Sequence, residues 1–347
     1  MSISEVARLA GVSTSTVSRV LNNQPRVSDE TIKSVRAAME KLGYAPTSRR
    51  PGPKSAISSS NRNALLIGLL VLRGTMERTT TAFEELMRGV ADGISRVHAN
   101  LVFHFLDDSD ELPEEVLDGR MSGLLLCGDL PNTNLREQLS HIPTISLMGN
   151  RQYPEWGDLV ISDSYEVGNK AARYLMSRGH KQLAFLNLDP HYWPFRHAEQ
   201  SFTAAALEQG VEVSSVFPTR QNNMPSPLPD FTAESANDLV RQHTGLKPRP
   251  TGLFVADDLQ VAHLQPALQR AGVKLGSGEV EIVSCNNERT YIAGLVPKPA
   301  EVDIRARAIG IRGVERLVWR VNNATASERI ITAVEPILID HDGNVVL

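Results

Sequence analysis

From Ala64 onward the chain alternates short, apolar, β-rich runs with helix-patterned segments, and this alternation restricts the fold more than any other feature. ALLIGLLVL (64–72), LVFHF (101–105), GLLLC (123–127), TISLM (144–148), KQLAFLNL (181–188), VEVSSVF (211–217), TGLFVA (251–256) and EVEIVSC (279–285) read as strands, with a last strand near 330–339. Helix patterns cover 83–97, 165–178, 198–209, 232–243, 258–271 and 303–322. Runs such as ALLIGLLVL lack the polar alternation of a half-exposed strand, so both faces must be covered. Parallel sheets with helices on both sides satisfy that demand. The length of the region, 64–347, suits two such lobes. We expect lobe 1 at 64–188 plus 295–325, and lobe 2 at 189–294 plus 326–347. Ligands of open parallel sheets sit beyond the carboxyl ends of the strands, so a cleft between the lobes is the expected site.

The first 63 residues differ in charge. They carry ten Lys/Arg against four Asp/Glu, a net +6, within a chain whose total is −4. The remainder is therefore at −10. Such segregation suggests that one end meets a polyanion. No apolar run approaches the roughly 20 residues of a membrane span, and MSISEVARLAGV lacks the basic and apolar regions of a signal peptide, so a cytoplasmic protein with no membrane contact is expected. Cys127 and Cys285 have no metal-like spacing and read as buried free thiols.

Within the basic end, Ile3 to Ala10 forms a helix pattern with Val6, Leu9 and Ala10 on one face. Gly11 breaks it, and Ser13 can cap a second helix, Thr14 to Asn22, with Val17, Val20 and Leu21 inward. Ser28 caps a third helix, whose inner stripe is Ile32, Val35, Met39 and Leu42. Helix, sharp turn, short helix, third helix is the helix-turn-helix plan, in which the second helix enters the major groove of duplex DNA. Thr14 and Ser15 can reach base edges or phosphates, and Arg19 can fork onto a guanine edge. Pattern alone also allows a three-helix bundle with no DNA role.

The run ISEVARLAGVSTSTVSRVLNNQPRVSDETIKSVRAAMEKLGYAP, Ile3 to Pro46, resembles the DNA-binding headpiece of the lactose-repressor (LacI/GalR) family. The resemblance continues in ISDSYEVGNKAARYLMSRGHKQLAFL (161–186) and RPTGLFVADDLQVAHLQPALQRAGV (249–273). It implies a helix-turn-helix headpiece at 1–46, a linker at 47–63, and a two-lobed core of the periplasmic-binding-protein type at 64–347. It implies a sequence-specific, DNA-binding transcription regulator, a repressor in sign, which binds operator DNA as a homodimer and answers a small effector such as a carbohydrate. Thr14, Ser15 and Arg19 fall on base-reading positions; Ser4, Ser13, Thr16, Ser18 and Asn22 fall where the family touches phosphate or caps helices.

In the core, the resemblance places Phe83, Phe231 and Asp257 at effector-facing positions. Asn286 stands where the family has an acidic ligand, Met148 where an acid is common, and Ala198 where it has an arginine, with Arg196 as a substitute two residues earlier. HYWPFRH (191–197), with Tyr192 and Trp193, suits a strand-end loop facing a cleft; a surface cluster is the plain alternative, and a metal site would lack a third local ligand. The effector is then either not an ordinary sugar or one held by a rearranged loop at 189–197. No enzyme motif is present, no cofactor is implied, and of Asp257 and Asp258 one is expected to cap a helix. A regulator whose cleft has lost its effector, acting constitutively or through a protein partner, is the alternative. A transport solute-binding protein is more remote, because it needs an export signal and no headpiece.

The linker leaves the family pattern. Pro51, Gly52 and Pro53 oppose the hinge helix that the family folds on DNA, and no leucine lies between Tyr44 and Ala64 to wedge the minor groove. Two readings stand: a cationic tether, or an arm that places Arg49 and Arg50 in a narrow A·T-rich minor groove.

Overall fold

The computed structural model describes residues 3–21, 28–42, 64–72, 81–106, 111–128, 133–149, 157–190, 192–219 and 232–346. The chain divides into two units, Met1–Asn63 and Ala64–Leu347.

The first unit contains α1 (Ile3–Ala10), α2 (Thr14–Leu21) and α3 (Asp29–Lys41). Gly11, at φ 67°, makes the left-handed turn between α1 and α2 that a side chain would oppose. Val6, Ala7, Val17, Val20, Val35 and Ala38 form the buried centre. Leu9, expected inside, is 46% exposed, and Ala7 takes its place. At 100° per residue Val6, Ala7 and Ala10 share one face, and Leu9 lies on its far flank. The Ser34 hydroxyl donates to Ala10 O at 3.2 Å and ties α3 to the end of α1.

The second unit is built on two sheets. The first holds β1 (Leu66–Leu72), β2 (Asn100–Leu106), β3 (Gly123–Cys127), β4 (Thr144–Leu147), β5 (Asp158–Ser162) and β11 (Ile331–Val334), in the order β11-β5-β4-β3-β1-β2, all parallel. The second holds β6 (Leu183–Leu186), β7 (Val213–Val216), β8 (Gly252–Val255), β9 (Glu281–Cys285), β10 (Ala300–Asp303), β12 (Ile337–Ile339) and β13 (Val345–Val346), in the order β13-β12-β10-β9-β8-β6-β7. Its first five strands are parallel, and β12 and β13 are antiparallel to their neighbours. Helices fill the crossovers: α4 (Thr81–Arg96), α5 (Glu114–Leu117) and α6 (Thr133–Leu139) in the first lobe; α7 (Ser164–Ser177), α8 (Trp193–Leu207), α9 (Ala233–Gly245), α10 (Asp258–Arg270) and α11 (Arg289–Ile292) in the second; and α12 (Ala306–Asn322), which returns to the first.

The lobe boundaries differ from the expected ones. The chain leaves the first lobe at Ser162–Asp163, so α7 and β6 belong to the second. β10 is a strand of the second sheet, and β11 is the edge strand of the first. The segment 330–339 reads as one strand but is two, in different sheets, divided at Glu335–Pro336. Pro336 has no amide to donate, so the ladder stops there and the chain changes sheet. The helix expected at 198–209 begins at Trp193, because Pro194 in a first turn removes no needed hydrogen bond. The segment 193–197 is helix, not loop.

Glycines let two helix pairs approach closely. A Cβ on Gly89 of α4 would lie 2.0 Å from Arg307 O, and one on Gly310 of α12 would lie 2.4 Å from Leu86 O. In the second lobe a Cβ on Gly168 of α7 would lie 2.1 Å from Ala198 O of α8. Asp158, the buried first residue of β5, accepts hydrogen bonds from Arg316 Nε (2.7 Å), Arg320 Nη2 (2.6 Å) and the Ile330 N–H (2.9 Å), which fastens α12 and the approach to β11 onto the sheet edge.

Candidate functional site

Helix α2 presents the residues read as DNA contacts. The Thr16 N–H donates to Ser13 Oγ at 3.1 Å, and the two hydroxyls lie 2.8 Å apart, so Ser13 caps the helix with Thr16 beside it. Thr14 and Arg19 are exposed and Thr16 is half-buried. Ser15 and Ser18 lie on the same helix and Ser4 on α1. Val17 and Val20, buried against α1 and α3, fix which face of α2 remains open. Asn22, Arg49 and Arg50 lie outside the described residues.

The second candidate site lies at the carboxyl ends of the strands. Asp257, buried after β8, caps α10 by accepting the Gln260 N–H at 2.7 Å. Gln260 is buried beneath it: its Oε1 accepts the Leu188 N–H at 2.7 Å, and its Nε2 donates to Asn187 Oδ1 at 3.2 Å. Asn187 accepts the Asp189 N–H (2.8 Å) and donates to Asp189 O (3.0 Å), which shapes the turn after β6. Asp258 is also buried and accepts from the Ser284 hydroxyl and the Glu288 N–H. Burial pushes its carboxyl well above the usual range, and the nearby Glu301 and Glu288 add to that. The floor of the second lobe is thus a layer of hydrogen-bonded polar side chains holding three strand-end turns together.

Asn286, after β9, is half-buried with φ 98°, and its N–H donates to Val302 O at 2.9 Å. Phe83 is partly buried in the first turn of α4 and packs on the core of the first lobe. The two lobes meet where the Thr81 and Thr290 hydroxyls stand 3.1 Å apart. Tyr192 precedes α8 with its ring edge-on to Phe195 at 4.8 Å, and Trp193 packs edge-on to His197 at 5.6 Å. Arg196 is exposed in a groove that runs along α8 with Glu199, Gln200, Thr203, Leu207 and Ser215. Ala198 is buried with Phe195 and Phe202, backed by Gly168. Phe231 lies outside the described residues. The structure therefore sets Asp257 and Asn286 just past the carboxyl ends of adjacent strands, β8 and β9, and turns the outer face of α8, with Arg196, along its own groove.

Sequence reading did not single out Asn187, Gln260, Ser284 and Glu288, because the first three fall inside segments read as strand or helix and Glu288 in the loop after a strand, where nothing local marks them as partners. The available signal was their position, directly after LAFL and within DDLQ and VSCNNE. Cys127 and Cys285 are buried free thiols, and burial pushes Cys127 up to about 12, which leaves it unreactive. Among the described residues no group of three or more His, Cys, Asp or Glu could hold a metal ion, and no helix is long and apolar enough to cross a membrane.

Comparisons with known proteins cover both parts of the chain. Residues 2–47 match the family profile "Bacterial regulatory proteins, lacI family", and residues 172–341 match "Periplasmic binding protein-like domain". The chain is 26% identical over 346 residues to the HTH-type transcriptional repressor PurR of Photobacterium profundum, covering 94% of each. It is 25% identical over 350 residues to the ribose operon repressor of Escherichia coli (strain K12), covering 97% of each. Its fold is shared with the lac repressor dimer bound to operator and the anti-inducer ONPF (TM-score 0.60, 20% identity, 98% of each chain). It is shared too with a transcriptional regulator CelR–cellobiose complex (TM-score 0.60, 21% identity, 99% of this chain and 100% of that one). The chain thus carries a DNA-binding headpiece of the lacI family of bacterial regulatory proteins and a periplasmic-binding-protein-like core, and the relatives that span its length are transcriptional repressors.

Proposed function

We propose that this protein is a cytoplasmic transcription repressor that binds a two-fold-symmetric operator as a homodimer and is controlled by a small polyhydroxylated effector in the interlobe cleft. The observation that carries the reading is the open face of α2: Ser13 caps it, Val17 and Val20 bury its back, and Thr14 and Arg19 stay exposed. Thr14, Ser15 and Arg19 read bases, while Ser4, Ser13, Thr16, Ser18 and Asn22 meet phosphate. Arg49 and Arg50 add either a minor-groove arm or general phosphate attraction. Replacing both with alanine separates these: a minor-groove arm predicts selective loss on operators with an A·T-rich centre.

The homodimer has a candidate surface. Among the described residues β2 is an edge strand that pairs with β1 alone, and Leu101, Phe103 and Phe105 on one of its faces are 38, 40 and 39% exposed. Phe103 and Phe105 form an edge-to-face pair at 4.6 Å. An apolar stripe of this kind on a sheet edge calls for cover, and a second copy supplies it by two-fold symmetry.

For the effector, Asp257 and Asn286 offer a carboxylate and an amide and Phe83 an aromatic ring, residue types suited to hydroxyl groups over an apolar face; Tyr192, Trp193, Phe231 and Arg196 complete the proposed contacts. Relatives named for ribose and solved with cellobiose support a carbohydrate. The protein acts by binding: Asp257 is committed to a cap and Asp258 is sealed in the floor, so the pair is no catalytic dyad. A second reading, a cleft without effector, is favoured by Ala198, which is buried between helices where a charged ligand is expected. Thermal-shift assays with pentoses, hexoses and disaccharides distinguish the two. A stabilising sugar whose effect is lost in Asp257→Ala supports the first reading, and a flat panel supports the second.

A further inference from the structure

Three segments join the lobes: Ser162–Asp163, Ile304–Arg305 and Glu335–Pro336. The second leads into α12, which is locked onto the first lobe. A Cβ on Gly313 would meet the Leu147 side chain at 2.3 Å, and one on Gly310 would meet Leu86 O at 2.4 Å. A helix packed this closely does not rotate alone. A change in lobe angle at this crossing therefore falls on 304–305, between β10 and α12.

Arg305 has φ 58°, a left-handed conformation that a side chain opposes and that persists only where its surroundings impose it. The constraint comes from Asp303. One carboxylate oxygen accepts the Arg305 N–H at 2.6 Å, and the other accepts Asn287 Nδ2 at 3.0 Å. Asn287 (φ 60°) follows Asn286 (φ 98°), and the two left-handed residues form the turn after β9. That turn leads through Glu288 into α11, whose Thr290 meets Thr81 of the opposite lobe. One carboxylate thus holds both the turn that carries a proposed effector contact and the crossing between the lobes.

We propose that Asp303 is a positioning residue that couples the Asn286–Asn287 turn to the lobe angle. A ligand that engages Asn286 shifts the Asn287 amide, changes its bond to Asp303, and alters how firmly Asp303 holds Arg305 left-handed. By linkage, closing the lobes tightens the turn in return. The proposal rests on the reading of Asn286 as an effector contact, and its test does not require the effector.

The test measures lobe-to-lobe distances in the full-length protein by pulsed EPR. Spin labels are attached at Glu137→Cys in α6 and at Glu208→Cys after α8, both exposed, and the labelled chain is diluted into unlabelled chain. The native thiols are buried and stay unlabelled. Asp303→Ala shifts the distribution to longer distances. Asn287→Gly, which keeps the turn's backbone freedom and the Arg305 bond but removes the amide, shifts it the same way by less. Asp238→Ala, a change at a carboxylate that anchors Thr219 away from the crossing, leaves it unchanged. Wild-type distances in folded Asp303→Ala and Asn287→Gly overturn the proposal and leave Asp303 a local tie. If Asp303→Ala does not fold, Asn287→Gly decides alone. Operator binding is read separately on the same proteins: its absence from the unmodified chain refutes the regulator reading and leaves the distance result standing.

Discussion

Asp158 in the first lobe and Asp258 in the second are equally hidden from water, 3% and 0% exposed, yet their carboxyl groups shift in opposite directions. Burial pushes both upward. At Asp158 that push is outweighed by hydrogen bonds from Arg320, the Ile330 N–H and Arg316, so it stays ionised below the ordinary carboxylate range. At Asp258 the donors are a neutral hydroxyl and a neutral amide, Glu301 and Glu288 add to the push, and the carboxyl is held well above the ordinary range. The charge of the donors, not the depth of burial, decides the ionisation. Position follows the same division. Asp158 stands at the first residue of β5, at the amino end of its strand, and staples the first sheet to α12; Asp258 lies at the carboxyl ends of the second sheet, within the hydrogen-bonded layer that holds the turns.

The strongest way to break this comparison is Asp158→Ala. It strands two largely buried guanidinium groups and should cost about 3–5 kcal/mol of unfolding free energy; urea denaturation measures it. Next are the helix contacts. Gly168→Ala and Gly310→Ala each force a Cβ against backbone in one lobe, and each should cost about 1–3 kcal/mol. Calorimetry on both variants shows whether the two lobes depend equally on close helix approach. A smaller effect comes from acid. Because the folded pKa of Asp158 lies below its unfolded value, its contribution is complete above the ordinary carboxylate range and is lost as pH falls through the depressed folded value. Asp158→Asn should flatten that part of the stability profile. The smallest effect is expected from Asp258→Asn. Its raised folded pKa means its contribution is present below the unfolded value and declines as pH rises through the folded one. The neutral amide mimics the protonated carboxyl, so it should stay within about 1 kcal/mol of wild type at pH values below the folded pKa, and should remove the decline with rising pH. A loss as large as that of Asp158→Ala would show that Asp258 is ionised in the fold.

The headpiece was the most legible part of the sequence, because its three helices are set locally by Ser13, Ser28, Gly11 and a 3.6-residue apolar period; only Leu9, on the flank of that period, was misplaced. The strands of the core were legible where they were wholly apolar, as in LAFL and GLLLC. β5 and β10 were missed, since each is short and carries a buried acidic residue: Asp158, whose partners lie far along the chain, and Glu301, paired with Lys298 three residues earlier. Sheet membership depends on such distant pairing, so the crossing at Pro336 could not be read from a run that looks continuous. In the cleft, the cap at Asp257 was visible in DDLQ. The floor was not, because Asn187, Gln260 and Ser284 become a single layer only when three strand ends stand side by side.

The central claim is that α2 reads a DNA sequence. The most direct measurement is selection of bound duplexes from a random library with the full-length protein, followed by titration of the selected site with wild type and Arg19→Ala. The account predicts two half-sites related by two-fold symmetry, and loss of about 1–3 kcal/mol of discrimination at one base pair of each half-site in Arg19→Ala. A library that returns no common sequence, or a selected site whose preference survives Arg19→Ala unchanged, would contradict it.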